Sequence, residues 1–140
     1  MSGIVAQNTL DNSGLIKSPA GGGAWNFISK QTASSSATVS FTSGIDSTYK
    51  VYIFTFNNIH PEEDNKYLQF QGNVAGGSGY NETITSTSFY SYHDEADGNT
   101  SLSYAAGNDQ AQGTGFQTIS DETGNGNDEC CSGQLWLFNP

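Results

Sequence analysis

Basic residues are nearly missing from this 140-residue chain: four Lys and Arg stand against 14 Asp and Glu, a formal net charge of −10. Binding to DNA or RNA needs Lys and Arg to displace counterions from phosphates, so direct nucleic-acid recognition is excluded as a function class. An anionic membrane surface is disfavoured for the same reason. Long apolar runs are missing as well; none approaches the roughly 20 residues that span a bilayer. Met1-Ser-Gly-Ile-Val lacks the basic and apolar regions of an export signal, which predicts synthesis in a cytoplasm without the usual export route. Helix formers are scarce, and hydrophobic residues make up 34 % of the chain, below an ordinary globular domain. Cysteine is confined to the adjacent pair Cys130-Cys131. Neighbours on a strand point to opposite faces and a bond between them closes a strained ring, so one buried and one exposed free thiol are expected. An intermolecular disulfide is the sharper alternative. No C-x-x-C pair exists for metal or redox work.

What is present is glycine (17 residues), Ser, Thr and Asn, together with two Trp, seven Tyr and eight Phe. A chain this poor in apolar residues can be disordered, but its aromatics cluster in short alternating runs, and that argues for β-structure. The clearest run is Tyr49 to Pro61. Tyr52, Phe54 and Phe56 fall on one face and Val51, Ile53 and Thr55 on the other, which predicts a central strand covered on both sides. Further strands are expected at 25–31, 37–42, 67–73, 80–92, 102–106, 116–120 and 134–138. Gly- and Asn-rich or acidic loops separate them, among them 75–79, 94–99, 107–115 and 121–129.

Short strands at turn-punctuated spacing predict an all-β fold, an antiparallel β-sandwich of jelly-roll-like form. Residues 1–24 read as an extended N-terminal arm or linker and residues 25–140 as the sandwich domain. The arm carries Ile4, Val5, Leu15 and Ile16, more apolar than a linker requires; a floppy tail and an arm docked on a neighbour both account for it. The expected core and assembly residues are Trp25, Phe27, Phe41, Tyr52, Phe54, Phe56, Phe70, Leu135 and Leu137. The chain stops directly after an intensely apolar strand. Either that strand closes the domain edge or the natural protein continues.

Candidate chemistry is thin. His93 with Asp94, Glu95 and Asp97 has metal-ligating residue types, yet all lie on one loop without a second ligand pair, so a solvated loop is the expectation and no metal is assigned. The stretch 121–129 is rich in hard oxygens but departs from the calcium-loop spacing. His60 precedes Pro61 and reads as a strand terminator. Carboxylates sit in loops and select no acid and nucleophile for glycoside hydrolysis, and no Gly-x-Ser-x-Gly or phosphate loop occurs. No catalytic residue and no cofactor are therefore expected. Tyr80, Phe89, Tyr90, Tyr92 and Tyr104 are the residues that could present rings to a ligand such as a sugar.

Gly23-Ala-Trp-Asn-Phe-Ile28, the link Thr32 to Ser36, Phe41-Thr-Ser-Gly-Ile-Asp46, the run Tyr52 to Pro61, Phe70-Gln-Gly72 and Leu135-Trp-Leu-Phe-Asn-Pro140 resemble a family of virion structural proteins. These are the tail-fibre-like or head-decoration proteins of tailed bacteriophages of marine bacteria and cyanobacteria. The resemblance covers most of the chain and implies a non-enzymatic structural role in the virion, with other virion proteins and copies of itself as partners. It implies further strands beyond Pro140. Cys130-Cys131 replaces a Ser-Leu pair of the family, so any thiol role is peculiar to this chain. The alternative function is a receptor- or glycan-binding module of a phage fibre, and a polysaccharide depolymerase is the third reading.

Overall fold

The computed structural model describes residues 25–140, and the chain divides at Asp46–Ser47 into two units. Among the described residues all regular structure is β, in eight strands: β1 (Val51–Ile59), β2 (Lys66–Phe70), β3 (Ile84–Thr85), β4 (Phe89–His93), β5 (Thr100–Tyr104), β6 (Ala111–Gly113), β7 (Gln117–Thr123) and β8 (Cys131–Phe138). All lie in the second unit. They pair antiparallel as four two-stranded sheets, β4 with β5, β3 with β6, β2 with β7 and β1 with β8. The pairings are nested. The hairpin β4–β5 closes around residues 94–99, and each further pair encloses the one before it.

Nesting brings the two most apolar strands together from opposite ends of the unit, with Val51 opposite Phe138, Ile53 opposite Trp136 and Phe54 opposite Leu135. Both strands alternate, so their side chains are sorted onto two faces of one ribbon. Three of the ladders are interrupted, that of β2 with β7 twice, and left-handed backbone marks three of the four breaks: Asn58 (φ 52°) in β1, Gln112 (φ 59°) in β6 and Glu122 (φ 44°) in β7. Bulges of this kind bend and twist a ribbon and blunt its edge. At the first, the Ser132 hydroxyl accepts the Asn58 N–H at 2.9 Å, replacing the lost ladder bond.

Side-chain amides close the gaps between ribbons. Gln71 Nε2 donates to the carbonyls of Glu82, Thr114 and Gly115 at 2.9–3.2 Å. The His60 ring meets the Gly126 carbonyl at 2.8 Å, and Asn125 Nδ2 donates to the Glu62 carbonyl at 3.3 Å. Gln117 is the hub. Its side chain is 7 % exposed; Oε1 accepts from the Ser86 hydroxyl at 2.5 Å and Nε2 donates to the Asn108 carbonyl at 2.7 Å. Ser86 Oγ in turn accepts the Gln110 N–H at 2.9 Å. A buried amide satisfied on both ends holds β3, β6 and β7 in register.

Several expectations from the sequence are corrected here. Residues 25–31 and 37–42 form no strand. β1 is not a central strand covered on both sides, because it has one strand neighbour, β8. The run 80–92 is two strands separated by Ser86–Ser88, the loop 107–115 contains β6, and β7 extends three residues into the expected loop 121–129. Of large apolar side chains, only Tyr52 (4 % exposed) is buried among the described residues, and the small Ala105 is buried as well. Phe54, Phe56, Phe70, Leu135 and Leu137 are half-buried, whereas Trp25, Phe27 and Phe41 are exposed. In the first unit, Gly44 adopts φ +79° with Ile28 Cγ2 only 2.6 Å from where its Cβ would stand, a conformation and an approach that only glycine permits. Residues 1–24, expected to form the arm, lie outside the described residues.

The hub makes a testable statement. Ser86→Ala leaves the buried Gln117 Oε1 without its donor and should cost about 1–3 kcal/mol. A thermal melt reads this as a lowered midpoint; an unchanged midpoint would show that the node contributes nothing to stability.

Candidate interaction surface

Alternation gives the β1–β8 ribbon two faces, and both are apolar. The half-buried face carries Tyr52, Phe54 and Phe56 opposite Leu137, Leu135 and Gly133. Tyr52 packs edge-on against Tyr49 at a centroid distance of 5.8 Å. The Phe56 ring lies over Gly133, where an added Cβ would stand 2.8 Å from it. That glycine is a seat for an aromatic ring. The other face carries Val51 and Ile53 opposite Phe138 and Trp136. Val51, Trp136 and Phe138 are 40 %, 47 % and 62 % exposed. The Trp136 and Phe138 rings stack at 6.3 Å and 22°, forming one flat wall. The indole N–H donates to Gln134 Oε1 at 3.2 Å.

The β4–β5 hairpin repeats the pattern at smaller scale. Phe89 stands opposite Tyr104 in an edge-to-face contact at 5.3 Å, with Leu102 beside them, and all three are exposed. On the reverse face Tyr90 and Tyr92 stack at 6.0 Å and 24° opposite Ser103 and Ser101, whose hydroxyls share a hydrogen bond of 3.0 Å. The Tyr104 hydroxyl donates to Asp109, a bond that raises the tyrosine pKa above its ordinary value. Tyr80 adopts φ 48° in the loop before β3 and lies outside both aromatic clusters. The structure thus groups Phe89, Tyr90, Tyr92 and Tyr104 on one hairpin and leaves Tyr80 apart.

The titratable candidates are drawn into turns. Asp94 accepts the Gly98 N–H and the Asn99 Nδ2–H, each at 2.7 Å, and so closes the hairpin loop. These bonds, the Asn99 side chain first, hold its carboxyl below the usual aspartate range. His93 meets Asp97 at 2.8 Å, with both side chains exposed to solvent. Gly126 N–H donates to Glu129 Oε2 at 2.6 Å in the second acidic loop. Among the described residues no three His, Cys, Asp or Glu converge as metal ligands. A hollow beside Phe89, Tyr90, Ala105 and Ile119 holds one carboxylate, Asp121, which accepts from Asn108 Nδ2 at 2.7 Å. Both cysteines are free thiols; Cys130 is exposed and Cys131, on β8, half-buried. No helix of the described residues is long and apolar enough to cross a membrane. The features sequence reasoning missed are the Gln117 hub and the role of Gly133, for which only the period-2 register with Phe56 could have served as a signal.

The chain matches no protein-family model, no curated protein and no solved structure.

The Asp94 turn predicts a local response to acid. A depressed folded pKa means that the stabilisation is complete above the ordinary aspartate value and is lost as pH falls through the folded value. The Gly98 amide should lose its hydrogen-bonded NMR shift and its exchange protection as the pH is lowered past the ordinary aspartate value to the depressed folded one. A Gly98 resonance insensitive to pH through that range would refute the assignment.

Proposed function

We propose that this protein is a non-enzymatic structural component of a bacteriophage virion, a capsid-decorating or tail- or head-fibre subunit that acts through contacts with other subunits. One observation carries the reading: the strands pair only as two-stranded ribbons, and among the described residues a single large apolar side chain is buried. A two-stranded ribbon is marginally stable alone, and its open edges and apolar faces are ordinarily covered in a finished structure. An assembly supplies that cover. On this reading the layers of the expected sandwich arise where ribbons of neighbouring subunits stack. The resemblance of the Tyr52–Pro61 and Leu135–Pro140 segments to marine phage virion proteins supplies the partner class: other virion proteins and copies of this chain. Immunogold electron microscopy tests the proposal with an antibody against the chain and particles of the phage that encodes it. Label should decorate heads or tails at regular positions; label confined to the soluble lysate would overturn it.

A second reading, a receptor- or glycan-binding module of a fibre, is favoured by one feature. The stacked, half-exposed Tyr90 and Tyr92 rings stand beside the Ser101 and Ser103 hydroxyls on the hairpin farthest along the nested ladder. Aromatic rings beside hydroxyls suit a sugar ring, which offers C–H faces and hydroxyls together. Binding on a glycan array that Tyr90→Ala with Tyr92→Ala abolishes would establish this reading, and an array without signal would eliminate it.

A further inference from the structure

We propose that Asn125–Gly126, in the loop between β7 and β8, is a self-modifying site. There the Gly126 amide displaces ammonia from the Asn125 side chain, with the Glu129 carboxylate as its general base. The proposal goes beyond the structural role above and does not rest on it.

Asn-Gly occurs once in the chain, here. Glycine after asparagine leaves no Cβ to shield the backbone nitrogen, so that nitrogen can reach the side-chain carbonyl of the residue before it. The loop adds a base. Gly126 N–H donates to Glu129 Oε2 at 2.6 Å, and Glu129 N–H donates back to the Gly126 carbonyl at 3.0 Å. This reciprocal pair fixes the carboxylate on the nitrogen that must lose its proton. Both flanking glycines make room for it: a Cβ on Gly124 would overlap the Glu129 carboxylate, and one on Gly126 would stand 2.7 Å from its Oε2. The carboxylate therefore lies across the backbone on either side of Asn125. Asn125 itself is exposed to water, and its side chain is held by one bond, from Nδ2 to the Glu62 carbonyl at 3.3 Å. A bond this long restrains the leaving group little.

The step balances with water as its co-reactant. Gly126 N passes its proton to Glu129 and bonds to Asn125 Cγ. The Cγ–Nδ2 bond then breaks, and Nδ2 leaves as ammonia with the proton that Glu129 returns. A cyclic succinimide remains. Water opens it at Cγ to give aspartate, or at the Asn125 backbone carbonyl carbon to give isoaspartate, in which the main chain runs through the side chain. Nothing is oxidised or reduced. Either product carries a carboxylate in place of the amide that donated to Glu62, in a loop that already holds Asp121, Glu122, Asp128 and Glu129. One tie between this loop and residues 60–65 is lost, and like charge opposes its return. The site thus loosens this corner of the fold as the molecule ages.

Peptide mapping by mass spectrometry tests this on the full chain, held in neutral buffer and sampled over time. Native wild type should convert Asn125 to aspartate and isoaspartate faster than the same chain unfolded in urea, because only the fold places the carboxylate. That comparison needs no variant, so a substitution that disturbs the loop cannot mask the answer. Glu129→Gln keeps a hydrogen-bond acceptor on an exposed side chain and removes the base. Its native rate should fall at least about tenfold, against the ~10²-fold or more that a well-placed general base contributes. Its rate should also climb more steeply with pH, since hydroxide must then do the work of the carboxylate. Hydrogen exchange at 60–65 and 124–130 should quicken in aged wild type and stay constant in Asn125→Gln. A native chain that keeps its asparagine as long as the unfolded one, or longer, overturns the proposal. So does a Glu129→Gln variant that converts at the wild-type rate or faster.

Discussion

Among the described residues each strand has a hydrogen-bonded strand neighbour on one side only, and most of the other properties follow from that constraint. A ribbon of two strands satisfies half of its backbone donors and acceptors; the rest face water or another chain. Its side chains alternate between two faces, and among the described residues neither face is fully buried. The near absence of buried apolar side chains among the described residues is the direct outcome. It explains why stability is distributed into amides. Gln71, Gln117 and Asn125 span ribbon breaks with hydrogen bonds that a thicker protein would replace with packed Leu and Ile.

How much of this was legible in the sequence depends on the range of the information. Strand positions were readable where the pattern is strong: the β1 segment stands out because aromatic and β-branched residues alternate from Val51 to Phe56, and the β8 segment because Leu135 to Phe138 are all apolar. Weak elements were not. β6 is Ala111-Gln-Gly113, with nothing apolar to mark it, and it exists because it pairs with Ile84 and Thr85. Trp25 and Phe27 misled in the other direction; an aromatic alternation makes a strand only where the backbone joins a ladder, and residues 25–31 are not a strand. The nested order was invisible, since the pairing of Val51 with Phe138 is a long-range fact. The bulges escaped notice because their left-handed residues are Asn58, Gln112 and Glu122, with no glycine to betray them.

The candidate surface was legible in its members and illegible in its exposure. The sequence grouped Phe54, Phe56, Leu135 and Leu137 by alternation, and they share one face in the structure. The same alternation groups Val51 and Ile53, and it cannot say which face a single-partner ribbon leaves open. The cluster His93, Asp94, Glu95 and Asp97 was read as a solvated loop, and its carboxylates have work of their own there. Asp94 spends its lone pairs on Gly98 and Asn99, the geometry expected of an aspartate that shapes a turn.

The placement of charge joins these threads. The acidic residues crowd the loops, at 62–64, 94–97 and 128–129, while β1 and β8 carry none. An evenly spread charge of the same size would oppose every mode of association alike. Concentrated mostly at ribbon ends and turns, it opposes contacts made through the loops and through chance edge-to-edge pairing, and leaves the β1 and β8 strands neutral. The bulge at Asn58 reinforces the same selection, since it disturbs the β1 ladder near the end of the strand and spares the regular register from Val51 to Phe56. In the assembly proposed above, specificity of contact would thus come less from attraction, which any apolar face offers, than from having removed the alternatives.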